Sequence, residues 1–254
     1  MPRVIKHPEV RRAEILDEAL RIFLERGYDN VSLNDVISEA GLSKGMFYHH
    51  FESKEDLLVA LFDQVSDQTY ETLRPILDQQ GIDPLRRLQN VLNRSALLRL
   101  EQAEETRSVF AAFHKPESAH LYDGIARAWM ERFRPVLTDI IEQGVREKIF
   151  ETFDPEGVAQ MLLEHAIGTK DLITLGLEAR STEERDQAAR RLARRLRLHG
   201  LVLSRILGLP DGSLRIGKAD FARRLFMLLN PAPGGQAEAS RKRRRTESPT
   251  DRLP

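Results

Sequence analysis

Residues 43–54 concentrate side chains that donate hydrogen bonds. Lys44 precedes Gly45, and Tyr48 is followed by two adjacent imidazoles, His49 and His50. An ammonium group can donate to guanine acceptors or to phosphate, phenol and imidazole groups can donate to phosphate oxygens, and glycine permits close backbone approach. This combination of residue types predicts contacts with the phosphates and base edges of a nucleic acid.

Short helices are expected to position these side chains. Ser32 and Asp35 have the spacing of a capping box, so a helix should begin there and run to about residue 40. Gly41 permits a sharp turn, and Ser43 caps a second short helix that reaches about His50. A helix, a tight turn and a second helix whose first residues face base edges form the helix-turn-helix arrangement.

Longer helices should flank this unit. Apolar residues at spacings of three and four predict a helix from about Pro8 to Arg26, and Gly27 is suited to end it with a positive φ. Ser53 and Asp56 suggest another capping box at the start of a longer helix. Unpaired backbone N–H groups at Ser32 and at 53–54 are expected to suit phosphate.

The stretch RRAEILDEALRIFLERGYDNVSLNDVISEAGLSKGMFYHHFESKEDLLVALF resembles the N-terminal domain of the TetR (tetracycline repressor) family, with a gapless match over about residues 9–63. The resemblance implies an all-α homodimer with a three-helix DNA-binding domain and a helical ligand-binding and dimerisation domain. It also implies a small-molecule effector and a palindromic double-stranded operator. Met46 departs from the family pattern, in which Thr or Ser is commoner, and so leaves the base contacts unassigned. Helix starts and resemblance together give the expected DNA-binding residues: Ser32, Ser43, Lys44, Gly45, Met46, Tyr48, His49, His50 and Lys54.

The domains expected are 1–62 for DNA binding, 63–230 for effector binding and dimerisation, and 231–254 as a disordered basic tail. Large apolar residues with polar ones among them give the effector-site candidates Phe110, Phe113, His114, Tyr122, Trp129, Phe133, His165 and Asp171. The family's dimer face, from two late helices, corresponds here to about 154–177 and 182–207, with candidates Met161, Leu192, Leu196 and Leu203. Pro135 should kink or split a helix that spans about 120–149.

Composition narrows the function classes. The 254 residues contain no Cys, which excludes disulfides and thiolate chemistry, and Lys+Arg and Asp+Glu both number 39. The first sixty residues hold more acidic than basic side chains, so a moderate salt dependence of DNA binding is expected. No apolar run is long enough to span a bilayer, and no signal peptide is recognisable, so a cytoplasmic location is expected. No cofactor, metal site or catalytic residue is expected.

Several alternatives remain open at this stage. The chain could activate transcription, act without a ligand, or be a helical scaffold whose N-terminal unit binds protein. A di-iron bundle enzyme needs two Glu-x-x-His pairs, and only Glu117 with His120 fits. Tyr48 could be a core residue, one of the two histidines could be solvated, and each effector-site candidate could be ordinary core. The arginines of 190–197 fit a solvated face, and the basic tail fits either phosphate attraction or simple solubility.

Overall fold

The computed structural model describes residues 7–79, 81–103, 107 and 119–231, and all regular structure in these ranges is helical. This confirms the predicted all-α fold. The helices are α1 (Pro8–Arg26), α2 (Leu33–Glu39), α3 (Lys44–Tyr48), α4 (Lys54–Leu77), α5 (Pro84–Glu101), α6 (Ala119–Arg146), α7 (Pro155–Ile167), α8 (Lys170–Leu177), α9 (Thr182–Ile206) and α10 (Phe221–Leu229), with a 3-10 turn at Tyr28–Asn30. Phe110, Phe113, His114, Glu117 and the tail beyond residue 231 lie outside the described residues.

Local sequence signals set the ends of the first helices. Gly27 ends α1 with a φ of 80°, and Gly41 turns between α2 and α3 with a φ of 61°. At Ser32 both bonds of the capping box are present. At Ser53 the hydroxyl accepts from the Asp56 amide at 3.0 Å, but the Asp56 carboxylate accepts from the Glu52 amide instead of the Ser53 amide. The second capping box is therefore only half formed.

The first three helices and the start of α4 enclose one apolar core, which we call the head. Phe23 of α1, Phe47 of α3 and Phe51 after it are at most 1% exposed, and Leu57 and Leu61 of α4 complete the cluster. Burial of such side chains stabilises each by about 1.5–3 kcal/mol, so this small unit has a core of its own.

The remaining helices form the body, which has two apolar clusters. One joins the second half of α4 with α5, α6, α7 and the end of α9, and the other joins the end of α5 with α8, α10 and the first half of α9. Arg87 links three elements of the first cluster, because its guanidinium donates to the Leu77 carbonyl, to Gln143 at 2.9 Å and to Asp139 at 3.3 Å.

The structure corrects one helix prediction for the body and narrows another. The segment 154–177 is two helices, because Gly168 ends α7 by donating its amide to the Glu164 carbonyl at 2.7 Å, and α8 starts afresh at Lys170. Pro135 does not split α6. It lies on the exposed side of the helix, where water can bond the carbonyl that a proline leaves without a donor.

Candidate nucleic-acid interface

The helix α3 divides sharply into a buried and an exposed side. Phe47 is fully buried in the head, whereas the neighbouring Tyr48 is 51% exposed. Lys44 and His49 are also exposed, and the Ser43 hydroxyl caps the helix by accepting from the Met46 amide at 3.3 Å. The cap fixes the first turn of α3, and the anchored Phe47 turns the polar side chains to the outside. The structure thus leaves Ser43, Lys44, Gly45, Tyr48 and His49 exposed, whereas Met46 and His50 are half-buried.

Among the described residues, none lies close to the position that a Gly45 side chain would take. A Cβ atom placed on Gly45 would meet nothing within 4 Å, and its backbone is not in the left-handed region. Gly41 also has open space around it, but its positive φ accounts for a glycine there. Glycine is unfavourable within a helix. Its presence at this position is explained if another molecule must approach the backbone closely.

Two arginines near the end of α3 were missed by sequence reasoning. Burial, followed by the charges of His49, Arg12 and Arg11, lowers the pKa of His50, so both arginines lie near that imidazole. The Arg12 guanidinium is 5.1 Å from the centre of the Phe51 ring. The signal was present as an adjacent basic pair at the start of α1. Arg11 is paired with Glu14 at 3.0 Å, so Arg12 is the residue that adds positive charge beside the two histidines.

Two predicted phosphate contacts are already engaged within the head. The Ser32 amide, expected to be unpaired, donates to the Asp35 carboxylate at 2.7 Å. The Lys54 ammonium donates to the Tyr28 carbonyl at 2.5 Å and lies 3.9 Å from the centre of the Tyr28 ring. Burial lowers the pKa of Lys54. The capping box and the 3-10 turn therefore satisfy groups that the sequence suggested were available.

The acidic residues of α1 are largely paired. Arg21 donates to Glu18 at 2.5 Å and to Glu25 at 2.8 Å, and it also reaches Glu39 of α2 at 3.4 Å. The pKa of Glu18 is lowered, first by the hydrogen bond from Arg21. This network joins α1 to α2 and offsets negative charge that would otherwise repel a polyanion.

Comparison with known proteins is consistent with this head. The family model described as bacterial regulatory proteins, tetR family, matches residues 15–61. The repressor KstR2 of Mycobacterium tuberculosis is 29% identical over 154 residues, which cover 59% of this chain and 74% of that protein. The repressor DhaR of Mycobacterium sp. is 34% identical over 79 residues, 31% of this chain and 40% of that protein. Residues 15–61 thus resemble the regulatory domain of the tetR family.

Solved structures extend the likeness to the body. A TetR-family regulator from Pectobacterium atrosepticum superposes with a TM-score of 0.57 at 23% identity, covering 77% of this chain and 96% of its own. One from Thermobifida fusca gives a TM-score of 0.51 at 22% identity and covers 88% and 98%. At this identity the likeness establishes the fold alone.

The described effector-site candidates fall in three places in the body. Trp129 and Phe133 stack on α6 with ring centres 4.9 Å apart, inside the larger body cluster. Tyr122 lies where α4 meets α6, close enough to Asp171 for that carboxylate to affect its pKa. His165 is on α7, and its Nδ1 is 2.6 Å from the Met161 carbonyl oxygen. Its ring faces that of His199, with ring centres 4.4 Å apart.

The dimer candidates differ in exposure. Met161 is 38% exposed on α7, whereas Leu192, Leu196 and Leu203 are at most 7% exposed and pack inside their own subunit. The side of α9 that carries these three leucines faces the body. Helices α8 and α10 cover its first half, and the larger body cluster includes its end. Its neighbouring Leu198 points outward and is 51% exposed.

The described residues contain no helix long and apolar enough to cross a membrane. Across those same ranges, no three His, Asp or Glu side chains are grouped to hold a metal ion. The pair Glu117 and His120 cannot be placed, since Glu117 and the His120 side chain lie outside what the structure describes.

Proposed function

We propose that this chain is a homodimeric repressor that binds a palindromic operator through the exposed surface of α3 and releases it when a small molecule binds the body. The main support for the proposal is that α3 has a buried and an exposed side. Phe47 is buried, whereas Lys44, Gly45 and Tyr48 are exposed. The relatives KstR2 and DhaR are named as repressors, which favours repression over activation.

Each exposed residue of α3 has a separate proposed role. Lys44, in the first turn, donates to a guanine edge or a phosphate, and Gly45 admits the DNA closely. Tyr48 and His49 donate to phosphate oxygens and fix the register of the head on the duplex. Ser43 holds the first turn in place through its cap. Ser32 and Lys54 act indirectly in this scheme, through the capping box of α2 and the contact with Tyr28.

The proposed dimer face lies on α7 and α9. Met161 and Leu198 are large apolar side chains exposed on these two helices, and the shallow cleft between the helices is lined by Val158, Val202 and Ile206 among others. Association of two such faces would remove this apolar surface from water. A two-fold dimer would present two copies of α3 to half-sites roughly 34 Å apart, one turn of DNA.

The long helix α4 is the proposed connection between sensing and DNA binding. Leu57 and Leu61 belong to the core of the head, whereas Leu73 and Leu77 belong to the larger cluster of the body. The proposed domain boundary at residues 62 and 63 therefore lies within one continuous helix. A ligand that favours a different position of α4 would shift the dimer away from the spacing that DNA requires.

The test is operator binding by variants of the exposed surface. We expect Lys44→Ala to weaken binding by about tenfold, in line with roughly 1–3 kcal/mol for a base contact, or less if Lys44 contacts only phosphate. Lys218→Ala is the matched control, because Lys218 is an exposed lysine of the body. Fluorescence anisotropy with a selected duplex at two salt concentrations gives both affinities. Equal binding by the two variants would remove α3 from the proposed interface.

A further inference from the structure

The loop before α7 carries a fully exposed aromatic side chain among acidic residues. Phe153 is 101% exposed, and Glu151 and Asp154 beside it in sequence are exposed carboxylates. The Asp154 carboxylate accepts from the Gly157 amide at 2.8 Å, and it keeps its charge because that donor is neutral. We call residues 151–154 the acidic loop. An aromatic ring held in water beside negative charge is suited to contact a cation on another molecule.

The exposed side of α9 carries both apolar residues and a cation. Leu198 is 51% exposed, Val202 follows it by one turn, and the exposed Arg195 precedes it by one turn, so the three share one side of the helix. Arg191, one turn earlier, lines a separate shallow pocket together with Glu184. Arg195 is therefore the cation that adjoins the apolar part of this side.

The acidic loop and Arg195 lie at opposite ends of the surface formed by α7 and α9. The Glu151 amide donates to the Leu207 carbonyl at 2.9 Å, which fixes the loop beside the end of α9. Arg195 is roughly 18 Å from Leu207 along the helix axis, at about 1.5 Å per residue. The midpoint of this distance falls between Leu198 and Val202. The exposed apolar side chains therefore lie midway between an acidic and a basic end.

We infer that two copies of the chain pair in antiparallel orientation across this surface, so that Phe153 of each copy packs against Arg195 of the partner subunit. A two-fold axis that crosses α9 at right angles near Leu198 and Val202 exchanges the two ends, so it brings the acidic loop of one copy onto the basic end of the other. Opposite charge and a cation–π contact both favour this arrangement.

The alternative two-fold arrangement is less favourable. An axis parallel to α9 would bring the two acidic loops together, and like charges across an interface oppose association. Charge therefore selects the antiparallel orientation. The inference rests on the proposed homodimeric function, and it adds the orientation of the subunits and the residues that determine it.

Cross-linking tests the orientation directly, because the chain contains no Cys. Full-length protein with Phe153→Cys and Arg195→Cys together should give a covalent dimer with a short bis-maleimide. Either single variant should run as a monomer on a denaturing gel. Within one subunit the two positions are too far apart for this reagent. Covalent dimers from Phe153→Cys alone would overturn the antiparallel arrangement.

Charge reversal tests the contact between the two ends. Glu151→Lys and Arg195→Glu should each weaken dimerisation by about tenfold in analytical ultracentrifugation, because the contact occurs twice in a dimer. A mixture of the two variants should form heterodimers about as stable as the wild-type dimer, since both contacts again join opposite charges.

A neighbouring arginine gives the matched control. Arg197→Glu reverses the charge of an exposed arginine only two positions away, but residues two apart on a helix do not share a side. It should leave dimerisation unchanged. Equal dimerisation constants for Arg195→Glu and Arg197→Glu would overturn the assignment of Arg195.

Sedimentation of the wild-type protein separates this inference from the proposed function. A wild-type dimer whose double-cysteine variant gives no cross-link would overturn the subunit arrangement and leave operator binding by a dimer standing. A wild-type monomer at every concentration tested would overturn both the arrangement and the proposed homodimer. A cross-link that needs both cysteines, together with recovery of the dimer in the mixture of charge-reversed variants, would support the arrangement.

Discussion

At the scale of single residues, exposure separates side chains that hold the head together from those that face outward. Phe47 and Tyr48 are neighbours in sequence with ring centres 5.7 Å apart, yet one is fully buried and the other is half in solvent. The two glycines on either side of Ser43 differ in whether their backbone conformation favours glycine. Gly41 has a positive φ that favours glycine, whereas in the described part of the chain no atom lies within 4 Å of a Cβ placed on Gly45.

The glycine pair gives a matched prediction. Gly45→Ala should leave the head as stable as wild type or about 0.5–1 kcal/mol more stable, because alanine favours a helix, while operator affinity falls. Gly41→Ala should instead destabilise the head by about 1 kcal/mol or more, because it forces a Cβ into the left-handed region. Urea unfolding and operator anisotropy measure the two effects. A Gly45→Ala protein with unchanged operator affinity would contradict close approach of DNA at this position.

At the scale of elements, the ends of the head helices could be predicted, because they depend on local chemistry. The bounds of α1, the turn at Gly41 and the capping box at Ser32 all follow from neighbours in sequence. The inward side of α9 could not be predicted in the same way. The leucines of α9 are compatible with either a dimer face or a core. Leu192 and Leu196 are buried because α8 and α10 pack in the same cluster, and the local sequence does not reveal that packing.

The residues of the candidate nucleic-acid interface could also be predicted only in part. The exposed residues of α3 could be predicted because they follow one another in sequence. Arg12 and the Tyr28 contact of Lys54 were missed, because they depend on how α1 and the 3-10 turn pack against α3 and α4.

The contact between α7 and α9 predicts a pH dependence of stability. His199 is 7% exposed and its ring centre is 4.4 Å from that of His165. Burial, then His165 and Arg195, lowers the pKa of His199 to about 4 from an ordinary 6.5. Between these values the unfolded chain binds more protons than the folded one, so the free energy of unfolding falls as the pH drops below about 6.5, until about 4.

We expect His199→Leu to lose less stability than wild type between pH 7 and pH 5. Urea unfolding at the two pH values gives the comparison, and the difference between the proteins removes the contribution of other titrating groups. If both proteins lost the same free energy over this range, His199 would not be the group responsible.

At the scale of the whole molecule, the proposal requires two heads held at a fixed spacing. Met161→Glu combined with Leu198→Glu places charges on the proposed α7 and α9 face and should give a monomer in analytical ultracentrifugation. Operator affinity should fall by on the order of 100-fold, because each head then binds independently. Leu175→Glu on α8 is the control, since Leu175 is comparably exposed at 44%. A double variant that remains a dimer would place the dimer face elsewhere.

The central claim is sequence-specific binding of DNA by two symmetrically placed α3 helices. Selection from a random duplex library with the full-length protein, at low and at moderate salt, tests it most directly. The account predicts one enriched palindrome whose half-site centres lie one turn of DNA apart and which is recovered at both salt concentrations. Binding without an enriched sequence, or enrichment of a single half-site alone, would contradict it.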